Sequence, residues 1–269
     1  MVKCKIDTNP TLGGSATKQE RVGPGQRPEL RVLPQRRSAH GLHHPWWALY
    51  DSRVRHPLTL ISVLASLLYF VSEPWHPFPG SIVLKGLSVA PLAVLAWRSS
   101  LPGRDGLLLG CALAFGSLGD VLLDWNESLF PAGLGAFLIG HFFYIGLFWK
   151  NRPRPTRLAM WEIALLAGLA LFASAMSLYL LPATGELAPA VVMYMGALMG
   201  MVASAVALQL PARWVVVGAL LFLFSDTLLA VSKFKSPVPG RELLVWPTYY
   251  VGQLLIAAGY MRAKCALKS

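Results

Sequence analysis

The stretch Gly116-Ser-Leu-Gly-Asp120-Val-Leu-Leu-Asp124 closes an apolar run that begins at Gly106, and its reading decides what kind of molecule this chain makes. Two carboxylates four residues apart share one face of a helix. The same helix is long and apolar enough to lie in lipid, where about 20 residues cross the hydrocarbon core. An ionisable side chain at that depth is expensive, so an intramembrane acid is a functional group by default. A second such acid, Asp226, stands in Phe222-Leu-Phe-Ser225-Asp226-Thr-Leu-Leu, inside another apolar run.

The rest of the chain agrees with a membrane setting. Of its 269 residues 55% are hydrophobic and only 14% charged, and its mean hydropathy is +0.51. That make-up belongs to a polytopic membrane protein rather than to soluble domains. The formal charge of +11 lies mostly in the N-terminal tail and in one set of loops, which marks topology rather than a nucleic-acid site. Cys4, Cys111 and Cys265 lie in a tail, a helix and the other tail, with neither disulfide nor zinc spacing. Residues 1–55 contain no apolar core of a cleavable signal peptide. They are rich in Arg, Pro and Gly and read as a basic, disordered cytoplasmic tail, with an interfacial anchor at Trp46-Trp47.

Eight apolar segments follow, at about 58–72, 80–97, 106–124, 131–149, 158–181, 187–208, 213–232 and 242–261. Lys and Arg divide between alternate connections. Arg98, Arg104, Lys150, Arg152, Arg154, Arg157, Arg213, Arg262, Lys264 and Lys268 fall with the tail on one side. On the other side only 233–241 carries basic residues. The positive-inside rule then puts both termini in the cytoplasm, as an even span count requires. The expected architecture is an all-α, polytopic bundle of eight transmembrane helices over residues 56–262, with a short cytoplasmic tail at 263–269. A parallel four-plus-four repeat is also suggested: Asp120 and Asp226 are each followed by x-Leu-Leu and then by a phenylalanine, Phe130 or Phe234.

Helical rise places Asp120 roughly 20 Å from the cytoplasmic start of its helix, with Asp226 similar, and His141 roughly 15 Å from the opposite face. Tyr249, Tyr250 and Gln253 fall roughly 10–16 Å from that face, and Lys85 is nearer to it. Tyr249, Gln253 and Tyr260 share one helical stripe, as do Phe137, His141, Tyr144 and Phe148. The expectation is one polar chamber walled by aromatic rings. Several of these residues have simpler readings as well. His141, the tyrosines and Gln253 are also common interhelical hydrogen-bonding groups, Lys85 is able to snorkel outward, and Asp124 lies near enough to the helix end for water to reach it. Gly196-xxx-Gly200-xxx-Ser204 reads as a packing face.

At these residues the sequence resembles the lysoplasmalogenases, the YhhN-like family of eight-span membrane proteins. The resemblance is carried by Gly119-Asp120 with Leu123, by Phe137 through His141 and Tyr144, and by Leu221-Phe-Leu-Phe-Ser225-Asp226 with Leu229 and Phe234. It is carried further by Thr248-Tyr-Tyr-Val-Gly-Gln253-Leu-Leu and by Lys85 in Val83-Leu-Lys-Gly-Leu. It spans roughly residues 58–262; Asp124, usually apolar in the family, and the basic tail depart from the pattern. The resemblance implies hydrolysis of the vinyl ether bond of lysoplasmalogen, a lysophospholipid, to a fatty aldehyde and glycerophosphoethanolamine or glycerophosphocholine. It further implies residence in the endoplasmic reticulum membrane for a eukaryotic protein or the cytoplasmic membrane for a bacterial one.

The residues suit that chemistry. Vinyl ether hydrolysis begins with protonation of the carbon β to oxygen, which leaves an oxocarbenium ion for water to capture. The slow step needs an acid still protonated at neutral pH, and a carboxyl in a low-dielectric bundle beside a second carboxylate favours that form. Asp120 and Asp226 are therefore the candidate catalytic pair, with His141 positioning them or the water. Lys85 is the candidate partner of the head-group phosphate; Tyr249, Tyr250, Gln253, Ser225 and Asp124 complete the candidate substrate-binding set. No metal or other cofactor is expected. Two other readings stay open: a metal-dependent lipid hydrolase with Asp120, Asp226 and His141 as ligands, and a proton-coupled transporter or lipid carrier using paired acids as a relay.

Overall fold

The computed structural model describes residues 57–76, 78, 80–152, 158–208 and 213–266. The expected basic tail, its Trp46-Trp47 anchor and the last three residues lie outside the described residues. Eight α-helices make up the described chain: α1 (Pro57–Ser72), α2 (Ser81–Trp97), α3 (Asp105–Trp125), α4 (Phe130–Lys150), α5 (Met160–Leu180), α6 (Ala188–Val206), α7 (Arg213–Phe234) and α8 (Arg241–Ala266). Helices are the expected solution for apolar segments in lipid, because each backbone N–H and C=O finds its partner within its own segment.

Six of the eight, α1 together with the 3-10 turn that carries it on to Trp75, and α3 to α7, are long and apolar enough to cross a membrane. The chain is an integral membrane protein. α2 is apolar but shorter, at 17 residues, and it contains Pro91. α8 is 26 residues long but carries Arg241, Glu242, Arg262 and Lys264 near its ends. It also runs on to Ala266, past the expected end at 261, because Lys264 is held there by Asn151 and by Asp105 at 3.6 Å.

The core lies where α2, α3, α4, α7 and α8 meet, around Leu92, Leu109, Leu113, Leu147, Phe222 and Ile256. α3 runs between α2 and α4, and α7 packs along α8. The α7–α8 contact is backbone against backbone: a Cβ on Gly218 would fall 2.6 Å from the Gly252 carbonyl oxygen, and one on Gly252 2.8 Å from that of Gly218. At the α3–α4 contact Gly119 leaves room for the Phe137 ring, which a Cβ would meet at 2.6 Å. Small residues here bring the acid-bearing helices close to their neighbours. α6 packs against α4 and α7, while α5 stands at the edge with Glu162, Leu169 and Leu180 as its buried residues. The expected packing face on α6 is partial. Gly200 faces Ile145 at 3.3 Å, Ser204 is buried, and Gly196 opens onto free space.

Candidate active site

Five helices build a polar cluster in the middle of the bundle. Asp120, on α3, is 3% exposed, and the Tyr249 hydroxyl of α8 donates to its Oδ2 at 2.7 Å. Gln253, one turn further along α8, donates from Nε2 to the Tyr249 oxygen at 3.3 Å and accepts at Oε1 from the Tyr144 hydroxyl of α4 at 2.5 Å. The result is a directed chain from Tyr144 through Gln253 and Tyr249 to Asp120. It orients one carboxylate oxygen, and among the described residues the other makes no hydrogen bond.

Asp226, on α7, is half-buried and accepts at Oδ2 from the hydroxyl of Tyr194 on α6. Asp120 lies within Coulombic range of Asp226, Asp124 and Lys85. Aromatic rings join the two acids. Phe222 packs against Tyr249 at 5.2 Å and against His141 at 5.1 Å, and His141 meets Tyr194 edge to face at 5.2 Å. His141 is buried, and neither ring nitrogen makes a hydrogen bond of standard geometry; the Phe137 carbonyl, one turn earlier, interacts with the ring. Gly116, Gly140, Tyr144, Phe222 and Gln253 pack around it closely enough to leave no room for a water-sized molecule. Gly116 and Gly140 let α3, α4 and α8 approach closely here: a Cβ on Gly140 would meet the Ala112 carbonyl oxygen at 3.1 Å, and one on Gly116 the Gln253 Nε2 at 2.9 Å.

The remaining candidates divide. Tyr250 points away from the acids, sharing a 2.8 Å hydrogen bond with Ser62 of α1, whose hydroxyl bonds in turn to the Ser88 carbonyl of α2. Ser225 is buried and donates to the Val245 carbonyl at 2.9 Å, tying α7 to α8. Lys85 and Asp124 pair at 3.2 Å, one turn of α3 beyond Asp120. Asp124 is not the water-exposed end group that its position suggests: its side chain is 3% exposed and surrounded by donors.

Tyr194, His76, Ser81 and Tyr69 were not among the candidates drawn from sequence. Tyr194 is a lone phenol in an apolar run, and only the folded bundle brings it to Asp226. His76 and Tyr69 lie outside the resemblance motifs. Phe130 and Phe234, the two phenylalanines of the repeat pattern, meet edge to face at 5.9 Å. Among the described residues no group of three or more His, Cys, Asp or Glu is arranged to hold a metal ion, so Asp120, Asp226 and His141 do not form one.

A helical bundle with membrane-length apolar segments, acids set within them and an aromatic wall defines a class: polytopic integral membrane proteins. The chain belongs to the YhhN family, whose sequence model matches residues 80–260. It is 30% identical over 199 residues to the protein named lysoplasmalogenase in Mycobacterium bovis, an alignment covering 70% of this chain and 74% of that one. It is 34% identical over 181 residues to human lysoplasmalogenase TMEM86B, covering 67% and 75%. The mouse TMEM86B is 32% identical over 204 residues, covering 74% and 84%. No solved structure matches the chain.

Proposed function

We propose that this protein is a lysoplasmalogenase: a membrane hydrolase that cleaves the vinyl ether bond of a lysoplasmalogen with the paired carboxyl groups of Asp120 and Asp226. Relatives bearing that name over most of this chain support the activity. The observation that carries the mechanism is the state of Asp120. It is an almost inaccessible carboxyl whose hydrogen-bond donor, among the described residues, is a single phenol, and it lies in range of a second acid.

The chemistry balances without a further reagent. One carboxyl of the pair gives its proton to the alkene carbon β to the ether oxygen, and the double-bond electrons form the new C–H bond. The resulting oxocarbenium ion is stabilised by the other, charged carboxylate, which takes a proton from water as the water oxygen adds to the cationic carbon. The hemiacetal then collapses: the carboxyl that took the water proton passes it to the glycerol oxygen as the C–O bond breaks, the hemiacetal hydroxyl gives its proton to the first carboxylate, and the aldehyde and glycerophospho-base leave the pair as it began. The faces of Phe222 and Tyr249 add a further attraction for the passing cation. His141 and Tyr194 position Asp226 and the water, and Tyr249 with Gln253 positions Asp120. In this reading all eight helices cross the membrane with both termini cytoplasmic, and the two Asp-x-Leu-Leu segments are parallel copies.

The test is aldehyde release from lysoplasmalogen by the purified protein in detergent, beside the saturated ether analogue and with and without a strong chelator. Cleavage of the vinyl ether alone, indifferent to chelator, is expected. No cleavage by folded protein would overturn the activity, and loss with chelator would overturn the metal-free mechanism.

A further inference from the structure

We propose that the end of the bundle where α3 finishes carries a phosphodiester subsite formed by Lys85 and His76, with Asp124 as the buried counter-charge that positions them. Four donors converge on the Asp124 carboxylate. Its Oδ1 accepts from Tyr69 of α1 at 3.0 Å and Lys85 of α2 at 3.2 Å, and bonds His76 Nε2, in the α1–α2 connection, at 3.2 Å. Its Oδ2 accepts from Ser81 of α2 at 2.7 Å. These four partners fix the carboxylate in place; what points to a ligand is the side that its two basic partners leave open.

The two basic members keep a free side. The Lys85 and His76 side chains remain 16% and 27% exposed, although the carboxylate between them is sealed. An ammonium has three donors, of which Lys85 gives one to Asp124. Its nitrogen lies 5.4 Å from the Tyr69 ring centre and 5.7 Å from that of Trp246, contacts that hold the charge in place without using a donor. His76 is steadied edge-on by Tyr69 and Phe78. Nearby Trp75 is 70% exposed, as suits the head-group layer of a membrane. Because the Asp124 carboxylate lies against Lys85, the subsite fits a singly charged phosphodiester better than a free phosphate ion, which would bring a second negative charge beside that carboxylate.

The spacing ties this subsite to the acids. Asp124 lies four residues beyond Asp120, about 6 Å along the axis. The three carbons of glycerol separate the ether oxygen of a lysophospholipid from its phosphate by a comparable distance. A lipid whose vinyl ether lies at Asp120 therefore brings its phosphate to Lys85 and His76. The identity of the lipid rests on the lysoplasmalogenase reading; the subsite itself is open to a separate test.

That test is equilibrium binding to the full-length protein in detergent of two uncleavable ligands, saturated 1-alkyl lysophosphoethanolamine and 1-alkylglycerol, which share the chain but not the phosphate. Binding reads the subsite whether or not the aldehyde assay succeeds. The wild type is expected to prefer the phosphate-bearing ligand by about tenfold or more, the scale of a hydrogen bond to a charged group. Lys85→Met and His76→Ala should each shrink that ratio severalfold; His76 stands outside the helices, so its variant serves even where Lys85→Met disturbs packing. Asp124→Asn should move the same ratio, which a mere packing role would leave alone. Glycerophosphoethanolamine should compete for the site and inorganic phosphate should not. Equal wild-type affinity for the two ligands, a ratio that survives both basic-residue substitutions, or equal competition from inorganic phosphate would overturn the subsite. An unmoved ratio in Asp124→Asn would overturn the positioning role.

Discussion

Asp105 and Asp120 stand on the same helix, and each accepts a 2.7 Å hydrogen bond from a tyrosine of α8. Beyond that they differ. Asp105, at the start of α3 and 1% exposed, also takes a hydrogen bond from Lys150 at 2.8 Å and one from Asn151 at 3.3 Å, with Lys264 at 3.6 Å. Donors from α4, its C-terminal connection and α8 saturate it, so its charge is fixed and its geometry clamps three helices. Asp120 accepts from one phenol, with Lys85, Asp226 and Asp124 only within Coulombic range. A carboxyl with so few partners keeps the capacity to exchange a proton, whereas a saturated one has become part of the frame. The number and charge of the hydrogen-bond partners, rather than burial, distinguish the two acids.

Substitution should break this comparison cleanly. Asp120→Asn and Asp226→Asn should each lower turnover of lysoplasmalogen by about 10²–10⁴-fold, the range for loss of a general acid or base, while the protein stays folded. Substantial aldehyde release by either variant would remove that residue from the pair. Asp105→Asn should do the reverse: removing one charge from a buried pair costs about 3 kcal/mol or more of stability, read as a lower unfolding midpoint in detergent. The fraction that remains folded should keep its specific activity.

The tyrosines sharpen the contrast. Tyr249→Phe deletes the oriented donor to Asp120 and should reduce kcat by about tenfold, consistent with a hydrogen bond to a charged group. Tyr260→Phe removes the matching bond to Asp105 and should appear in stability, by about 1–2 kcal/mol, and not in kcat. Smallest of all is Ser225→Ala. It loses one hydrogen bond between α7 and α8, about 1 kcal/mol of stability, with KM shifted by less than about twofold. A larger KM effect would support the expected place of Ser225 in the substrate-binding set.

Much of the frame was legible beforehand because it follows from local rules. Apolar runs of membrane length gave eight helices within a few residues of the expected limits, and the two deep acids stood out against them. Tyr249 and Gln253 could be read because a stripe at i and i+4 needs no knowledge of neighbours. Tyr250 could not be separated from Tyr249 in that way. Adjacent residues on a helix face about 100° apart, and only the positions of α1 and α3 decide which one meets Ser62 and which Asp120. Tyr194 was illegible for the same reason, since its partner lies 32 positions away on another helix. The end of α8 ran long because Lys264 is held across the bundle by Asn151 and Asp105, contacts that its own segment does not contain.

Sequence alone determined that the chain is helical and membrane-bound, and that Asp120 and Asp226 lie deep within apolar segments, because hydropathy and helical rise are properties of one segment at a time. Tertiary structure decided which acid is clamped and which is left with a single phenol. It also decided that Asp124 is sealed beneath Lys85 and His76, and that Tyr250 and Ser225 tie helices together away from Asp120. These outcomes depend on how helices are rotated and packed against one another, and the close α7–α8 approach at Gly218 and Gly252 is one of the contacts that set it.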